Sequence, residues 1–228
     1  MKFITKNIVF LGICLIFFNI ACNRKIEYEF PDLNLYPIIQ GKYRIYQVKD
    51  TTYTTQGSVY KFYYKKEETD SNELDLKNRT ISRLNIFISD SLNNWTFSEL
   101  WTQYKDANWA ERIEGNTKIL VLKFPVKLNE SWNGNEFNNK GKENFVYANI
   151  DTTVTINGVT YPNCVFIQQR LSNASLLSEI NTYEIYAKGI GKIKRYDNYK
   201  KYNLNPNGTR SLTTESYFYE ETLLLHNY

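Results

Sequence analysis

Residues 154–161, Val-Thr-Ile-Asn-Gly-Val-Thr-Tyr, place Asn157 and Gly158 between two runs in which apolar and polar side chains alternate. A type I′ turn needs positive φ at both central residues, and asparagine and glycine adopt that conformation more readily than other residues. Alternation with a period of two is typical of a strand with one buried face. This stretch therefore predicts an antiparallel β-hairpin.

The same alternation recurs along most of the chain. It is clearest in residues 80–90, where Leu84, Ile86 and Ile88 fall on one face and polar side chains fall on the other. One face of such a strand must be buried. Further strands are predicted at residues 42–49, 58–67, 118–124, 145–155, 159–161, 164–171, 183–188, 192–196 and 216–225.

Three segments depart from regular alternation. In residues 42–49 the phase slips between Ile45 and Tyr46, which is what a β-bulge produces. Residues 95–113 have no clean period, and we interpret them as strands, with a helical turn near the end as the alternative. Residues 174–180 can form a short helix.

Short turns between consecutive strands and the near absence of a helical period imply antiparallel pairing. The predicted fold class is all-β, with a strongly curved sheet or an open, half-closed β-barrel and little helix. The 4 Trp, 19 Tyr and 13 Phe suit such strands. A membrane-spanning barrel is disfavoured, because each charge facing lipid near the midplane costs about 2–4 kcal/mol. The charges predicted to face outward are Lys61, Lys65, Arg83 and Lys194.

The first 22 residues have the organisation of a lipoprotein signal. Lys2 and Lys6 precede an apolar run that ends at Ala21 and Cys22. A helix over residues 8–21 reaches about 21 Å, which is short of the roughly 30 Å hydrocarbon core of a bilayer. A processed leader therefore fits better than a membrane span.

This reading divides the chain into three parts. Residues 1–21 are the signal peptide, residues 22–34 form a tether after the lipidated Cys22, and residues 35–228 form a single β domain. The alternative is an ordinary secretory leader in which Cys22 stays unmodified, which leaves an unanchored exported domain.

Composition and residue types exclude several kinds of site. Without the leader, 26 basic residues are interspersed with 24 acidic ones, and this pattern disfavours a nucleic-acid partner. Cys164 has no partner for an intrachain disulfide, and the only histidine, His226, lies near the C-terminus. No spacing of metal ligands is present. We therefore predict no catalytic residue, no metal ligand and no cofactor.

Two sets of residues have both a structural and a functional interpretation. Gly189-Ile190-Gly191 resembles a phosphate loop, but no helical period follows, so a tight turn is favoured. Aromatic faces can stack on sugars, yet packing in the core or at its rim is favoured for the tryptophans. The tryptophans are Trp95, Trp101, Trp109 and Trp132.

Three stretches carry a resemblance to a known group of proteins: residues 36–46, residues 120–134 and residues 183–191. Across about residues 30–225 the chain resembles a broad family of uncharacterised, Bacteroidota-type outer-membrane lipoproteins. The resemblance implies a lipid-anchored protein with an all-β, barrel-like domain, and it transfers no catalytic residue. The chain also looks distantly like periplasmic open-barrel proteins that handle lipids or envelope assembly.

These observations predict an envelope lipoprotein anchored in the outer membrane by a palmitate-type modification of Cys22. The residues after Cys22 lack an acidic cluster, which favours the periplasmic face over the cell surface. The predicted function is a non-enzymatic binding or assembly module, with an apolar ligand or an envelope protein as partner. A periplasmic hydrolase that acts on glycan or lipid is the alternative.

Overall fold

The computed structural model describes residues 31–172 and 175–228, which form one 3-10 helix and thirteen β-strands. The predicted signal peptide and Cys22 lie outside the described residues. The helix, η1, spans Pro31–Leu35, so the last residues of the predicted tether are helical. The strands are β1 (Tyr43–Thr54), β2 (Gly57–Leu74), β3 (Thr80–Ser89), β4 (Thr96–Lys105), β5 (Trp109–Glu114), β6 (Thr117–Lys123), β7 (Ser131–Asn133), β8 (Asn144–Ile156), β9 (Val159–Ser172), β10 (Ser178–Ala187), β11 (Gly191–Leu204), β12 (Arg210–Leu212) and β13 (Tyr217–His226).

The strands form one antiparallel sheet in the order β6-β5-β4-β3-β2-β1-β13-β11-β10-β9-β8-β7, with β12 attached to β11. The sheet curls into a nearly closed barrel, and the two ends of the sheet meet. The backbone N–H of Leu120 on β6 donates to the carbonyl of Gly134 at 2.9 Å, and the Trp132 indole donates to the carbonyl of Leu120 at 2.9 Å. The predicted all-β, barrel-like fold class is confirmed.

One end of the barrel is covered by η1, and we call it the closed end. The backbone N–H of Gly189, in the β10–β11 turn, donates to the carbonyl of Asn34 at 2.8 Å. The N–H of Val126, after β6, donates to the Asp32 carboxylate at 2.9 Å. Because antiparallel strands alternate in direction, the β1–β2, β5–β6, β7–β8 and β9–β10 turns lie at the opposite end, the open end.

Local turn chemistry follows the sequence. Asn157 and Gly158 have φ of 50° and 80° and connect β8 to β9, which confirms the predicted type I′ hairpin. The Asn157 side-chain amide also donates to the carbonyl of Leu223 on β13, at 2.9 Å. The predicted bulge is confirmed, because the β1–β13 register shifts between Ile45 and Tyr46.

The segments without clean alternation resolve into strands. Residues 95–113 contain β4 and all of β5 except its last residue, Glu114, as predicted. The short helix predicted over residues 174–180 is wrong, because Ser178 begins β10 and pairs with Lys201 on β11. Residues 173–174 lie outside the described part. Pairing with a long neighbouring strand outweighs the weak local helix preference of this polar stretch.

A large cluster of buried apolar side chains comes from η1 and its flank and from strands β5 to β10 and the adjoining segments. Tyr36 follows η1 directly, and its ring centroid lies 6.2 Å from that of Tyr186. The ring centroids of Trp132 and Tyr147 are 4.7 Å apart. The buried members are Leu35, Tyr36, Ala110, Leu120, Val121, Leu122, Phe124, Trp132, Phe145, Tyr147, Val165, Ile167 and Tyr186. We call this set the apolar cluster.

Candidate functional site

The middle of the barrel is filled with charged side chains. Arg112 on β5 bonds to Glu184 on β10 at 2.7 Å, although these strands are far apart in the sheet order. The pair therefore crosses the interior of the barrel. The central charge network consists of Arg44, Lys65, Arg112, Lys192, Arg195, Glu67, Glu114, Glu184 and Glu221.

One half of the central charge network connects β2, β11 and β13. Lys192 lies 2.8 Å from both Glu67 and Glu221, and Lys65 bonds to Glu221 and lies 3.1 Å from Glu67. The phenol of Tyr46 lies 3.2 Å from the Glu67 carboxylate. All five side chains are almost completely buried. Each carboxylate therefore contacts two ammonium groups, which offsets the desolvation of the buried charges.

The other half reaches toward the open end. The Arg112 guanidinium donates to Glu114 and to Glu184, at 2.7 Å in both cases. Arg195 on β11 lies 3.3 Å from both oxygens of Glu114. Tyr186 donates to Glu184 at 2.5 Å. Arginine suits this position, because its planar fork can bond to two carboxylates at once.

The pKa values of the network carboxyls are lowered. Burial alone would raise the pKa of Glu221, but Lys192 and Lys65 outweigh burial and hold it at about 2. Burial would also raise the pKa values of Glu114 and Glu184. The positive charge of Arg112 outweighs burial, so both pKa values lie below their usual value. These carboxyls are ionised at neutral pH.

Sequence reasoning missed this network because it expected β2 to face the other way. Tyr60, Phe62 and Tyr64 lie on the outer side of β2, whereas Lys65 and Glu67 are buried at 4% and 2% exposure. The expectation that Lys65 faces outward is wrong. A signal was present in the alternation of Lys65 and Glu67 on one face, since charges of opposite sign two residues apart can pair inside a barrel.

A polar cavity of about 360 Å³ lies between the central charge network and the open end. Arg112 and Glu184 form part of its wall, and Arg170, Asp197 and Tyr217 lie nearer the rim. The volume falls within the roughly 300–1,000 Å³ range of small-molecule sites. A wider vestibule shares five of its residues: Asn135, Lys140, Glu143, Gln169 and Arg170.

Arg195 belongs both to the central charge network and to the wall of this cavity. Its Nε is buried and has no hydrogen-bond partner among the described residues, and its side chain lines the cavity. Arg170 on the rim lies 3.2 Å from Asp197 and 2.9 Å from Glu143, and it donates to the Tyr217 hydroxyl at 3.0 Å. Both signs of charge therefore line the entrance.

The fold and the site together define a nearly closed antiparallel β-barrel with a charged interior and one polar opening. No protein-family model and no curated protein matches the chain. Among solved structures the chain is similar to a "putative exported protein with YMCC-like fold" of Bacteroides fragilis NCTC 9343. The TM-score is 0.46 at 10% identity, over 84% of this chain and 98% of that one. This likeness assigns neither a family nor an activity, and the resemblance to outer-membrane lipoproteins stays a prediction.

The residues that the sequence analysis weighed for a chemical role contribute to packing or to a turn. Cys164 is fully buried, and burial raises the pKa of its thiol to about 11, so it behaves as a small apolar side chain. Trp101 and Trp132 are buried, as the packing interpretation predicted. Gly189 and Gly191 have φ of 83° and 93° in the β10–β11 turn, which confirms a tight turn.

Two further observations concern residues 31–172 and 175–228. No group of three or more His, Cys, Asp or Glu side chains in these ranges has the arrangement of a metal site. No helix in them has the length and apolar character needed to cross a membrane.

Proposed function

We propose that this chain is an envelope lipoprotein, anchored through Cys22, whose barrel is a non-enzymatic binding module for a small polar ligand. The observation that carries this proposal is the cavity at the open end, whose walls carry ion-paired side chains of both signs. A ligand with hydroxyl groups, or with both signs of charge, complements such a lining. An apolar ligand would instead displace water from these side chains without replacing its hydrogen bonds, at a cost of about 1–3 kcal/mol for each group left unsatisfied.

A hydrolase is the alternative function, because carboxyl groups line the cavity. The pKa values of two of them do not suit a catalytic acid. A glycosidase acid must stay protonated near neutral pH, which requires a raised pKa. Glu114 and Glu184 have lowered pKa values because arginine contacts outweigh their burial. The lowered pKa values of these two carboxyls therefore favour binding over catalysis.

The proposed anchor agrees with the placement of the cavity. Asp32, at the closed end, is ten residues from Cys22, and a fully extended chain of that length reaches at most about 35 Å. Attachment through the closed end leaves the open end free to face away from the membrane surface. The ligand would then enter from the aqueous side, and we propose the periplasmic side of the outer membrane.

Ligand binding is tested by thermal shift with N-acetylglucosamine, glucuronic acid, galactose and alanyl-glutamate as probes. Saturating ligand at 100 times Kd stabilises by about 2.7 kcal/mol. For a chain of this size that raises Tm by several degrees. Arg195→Met should abolish the shift, whereas Lys49→Met, which removes an outer ion pair with Glu220, should keep it. The proposal would be contradicted if no probe shifts Tm and if native mass spectrometry of the purified protein also shows no bound ligand.

The anchor is tested separately. Protein extracted from membranes should carry acyl groups on a peptide that begins at Cys22, and Cys22→Ser should move the protein to the soluble fraction. An unmodified cysteine would leave the cavity proposal standing and remove the anchor. Release of the domain by protease from sealed cells would place it on the cell surface instead.

A further inference from the structure

Every carboxylate that lines the cavity or the vestibule at the open end already has an arginine partner. The four carboxylates are those of Glu114, Glu143, Glu184 and Asp197. Each of them lies 2.7–3.2 Å from Arg112 or Arg170. A cationic ligand would therefore have to compete with a guanidinium group for each of these carboxylates.

The same walls carry five positive charges against these four negative ones. The five are Arg112, Lys140, Lys142, Arg170 and Arg195. Lys140 and Lys142 are exposed on the β7–β8 connection, and neither makes an ion pair within residues 31–172 and 175–228. Glu143, which follows Lys142 in the chain, pairs with Arg170 instead. The walls therefore have a net charge of +1, and the two unpaired cations lie at the entrance.

Within the ion pairs of the cavity wall, the cation is more exposed than the carboxylate. The Arg170 side chain is 34% exposed, against 10% for Asp197 and 26% for Glu143. Arg195 is 23% exposed, against 18% for its partner Glu114. A molecule that enters the cavity therefore meets more positive than negative charge.

We propose that the ligand of this cavity is a hydroxylated carboxylate, such as a sugar acid, with a single net negative charge. Its carboxylate binds at the entrance beside Arg170 and Lys140, because a guanidinium can bond to two carboxylates and an ammonium adds a second charge. Its hydroxyl groups face the ion-paired walls further inside. This inference rests on the proposed binding function and names the charge of the ligand.

The size of the charge excess separates a carboxylate from a phosphate. A phosphate monoester carries a charge of about −1.5 to −2 at neutral pH, whereas a carboxylate carries a single negative charge. One carboxylate neutralises the walls, and a phosphate monoester would leave them with excess negative charge. A carboxylate is therefore the better match.

Isothermal titration calorimetry of the processed protein tests the charge of the ligand with matched probes. Glucuronate and glucuronamide share a ring and differ in charge, as do galacturonate and galacturonamide. Each acid should bind about tenfold or more tightly than its amide, and salt should weaken only the acid, because salt screens charges at an exposed entrance. Glucose 6-phosphate is the phosphate probe, and it should bind more weakly than glucuronate.

The variant that tests the entrance combines Lys140→Gln with Lys142→Gln. It should weaken binding of the acids about tenfold and leave binding of the amides unchanged, because it removes only unpaired charges at the rim. Lys127→Gln is the matched control, since Lys127 is also exposed and lies at the closed end, and it should bind the acids as the native protein does. Circular dichroism and Tm measurements confirm that the variants stay folded.

Equal binding of the acids and their amides would overturn this inference and leave the binding module standing. Unchanged affinity for the acids in the double variant would also overturn it, as would tighter binding of glucose 6-phosphate than of glucuronate. Absence of binding by every probe, acid or neutral, would count against the proposed binding function as well.

Discussion

The apolar cluster and the central charge network lie in the same barrel and stabilise it in different ways. Around Ile167 and Tyr147 the interior is filled by closely packed apolar side chains, and neither residue has exposed surface. Around Glu221, which is equally buried, the interior is closed by paired charges. A change in the apolar cluster leaves a hole, whereas a change in the network leaves an unpaired charge. The two kinds of damage differ in size and in their dependence on pH.

The largest effect is expected from removing one charge of the network. Glu221→Gln leaves Lys65 and Lys192 buried with one carboxylate fewer, and we expect a loss of about 3–5 kcal/mol in the free energy of unfolding. Urea unfolding measures it. Glu215→Gln is the matched control, because Glu215 pairs with Lys201 in an exposed position, where water screens the pair and its loss should cost little. Equal losses in the two variants would contradict the network.

A slightly smaller effect is expected in the apolar cluster. Ile167→Ala should lower the free energy of unfolding by about 2–5 kcal/mol, and Ile167→Val by about 0.5–1.5 kcal/mol, because the larger truncation leaves the larger cavity. The same urea series measures both. A cost for Ile167→Ala no greater than that for Ile167→Val would show that this site is not tightly packed.

The contributions of the two regions to stability should differ in their dependence on pH. The Glu221 carboxyl has a pKa of about 2 in the folded protein, against an ordinary value of 4.5 in the unfolded chain. Its stabilising contribution is therefore fully present above about pH 4.5 and is lost as the pH falls toward 2. The difference between native protein and Glu221→Gln should shrink over that range, whereas the cost of Ile167→Ala should change little. A constant difference for Glu221→Gln from pH 7 to pH 2 would contradict the ion pairing.

The smallest effect is expected when a whole charged pair becomes apolar. Arg112→Met combined with Glu184→Leu removes both charges, so little buried charge is left unpaired, and Glu114 keeps Arg195. The double variant should be more stable than either single variant, and close to the native protein. A double-mutant cycle by urea unfolding measures this coupling. Additive losses would show that the two side chains do not interact.

The sequence predicts the elements of this barrel better than its interior. The turn at Asn157 and Gly158 follows from local backbone preferences, and the bulge at Tyr46 follows from a slip in the alternation; both are present. The facing of β2 does not follow, because a period of two shows that two faces exist and not which one is buried. Pairing of Lys65 with Glu221, which is 156 residues later in the chain, reverses the ordinary preference for burying aromatic residues.

The candidate site was harder to predict for the same reason. Arg112, Arg195 and Glu184 come from three strands and meet only when the sheet closes. None of them stands out in the sequence, since each lies in a strand with other charged residues. The single site that the sequence does name, Cys22, lies outside the described residues and stays a prediction.

Lysine acetylation of the native protein, followed by peptide mass spectrometry, tests most directly the claim that β2 turns its charged face inward. Lys61 and Lys65 lie four residues apart on the same strand, and only Lys65 is buried. The account predicts rapid acetylation of Lys61, with Lys65 and Lys192 protected until the protein is unfolded in urea. Acetylation of Lys65 at the rate of Lys61 in the folded protein would contradict the charged interior.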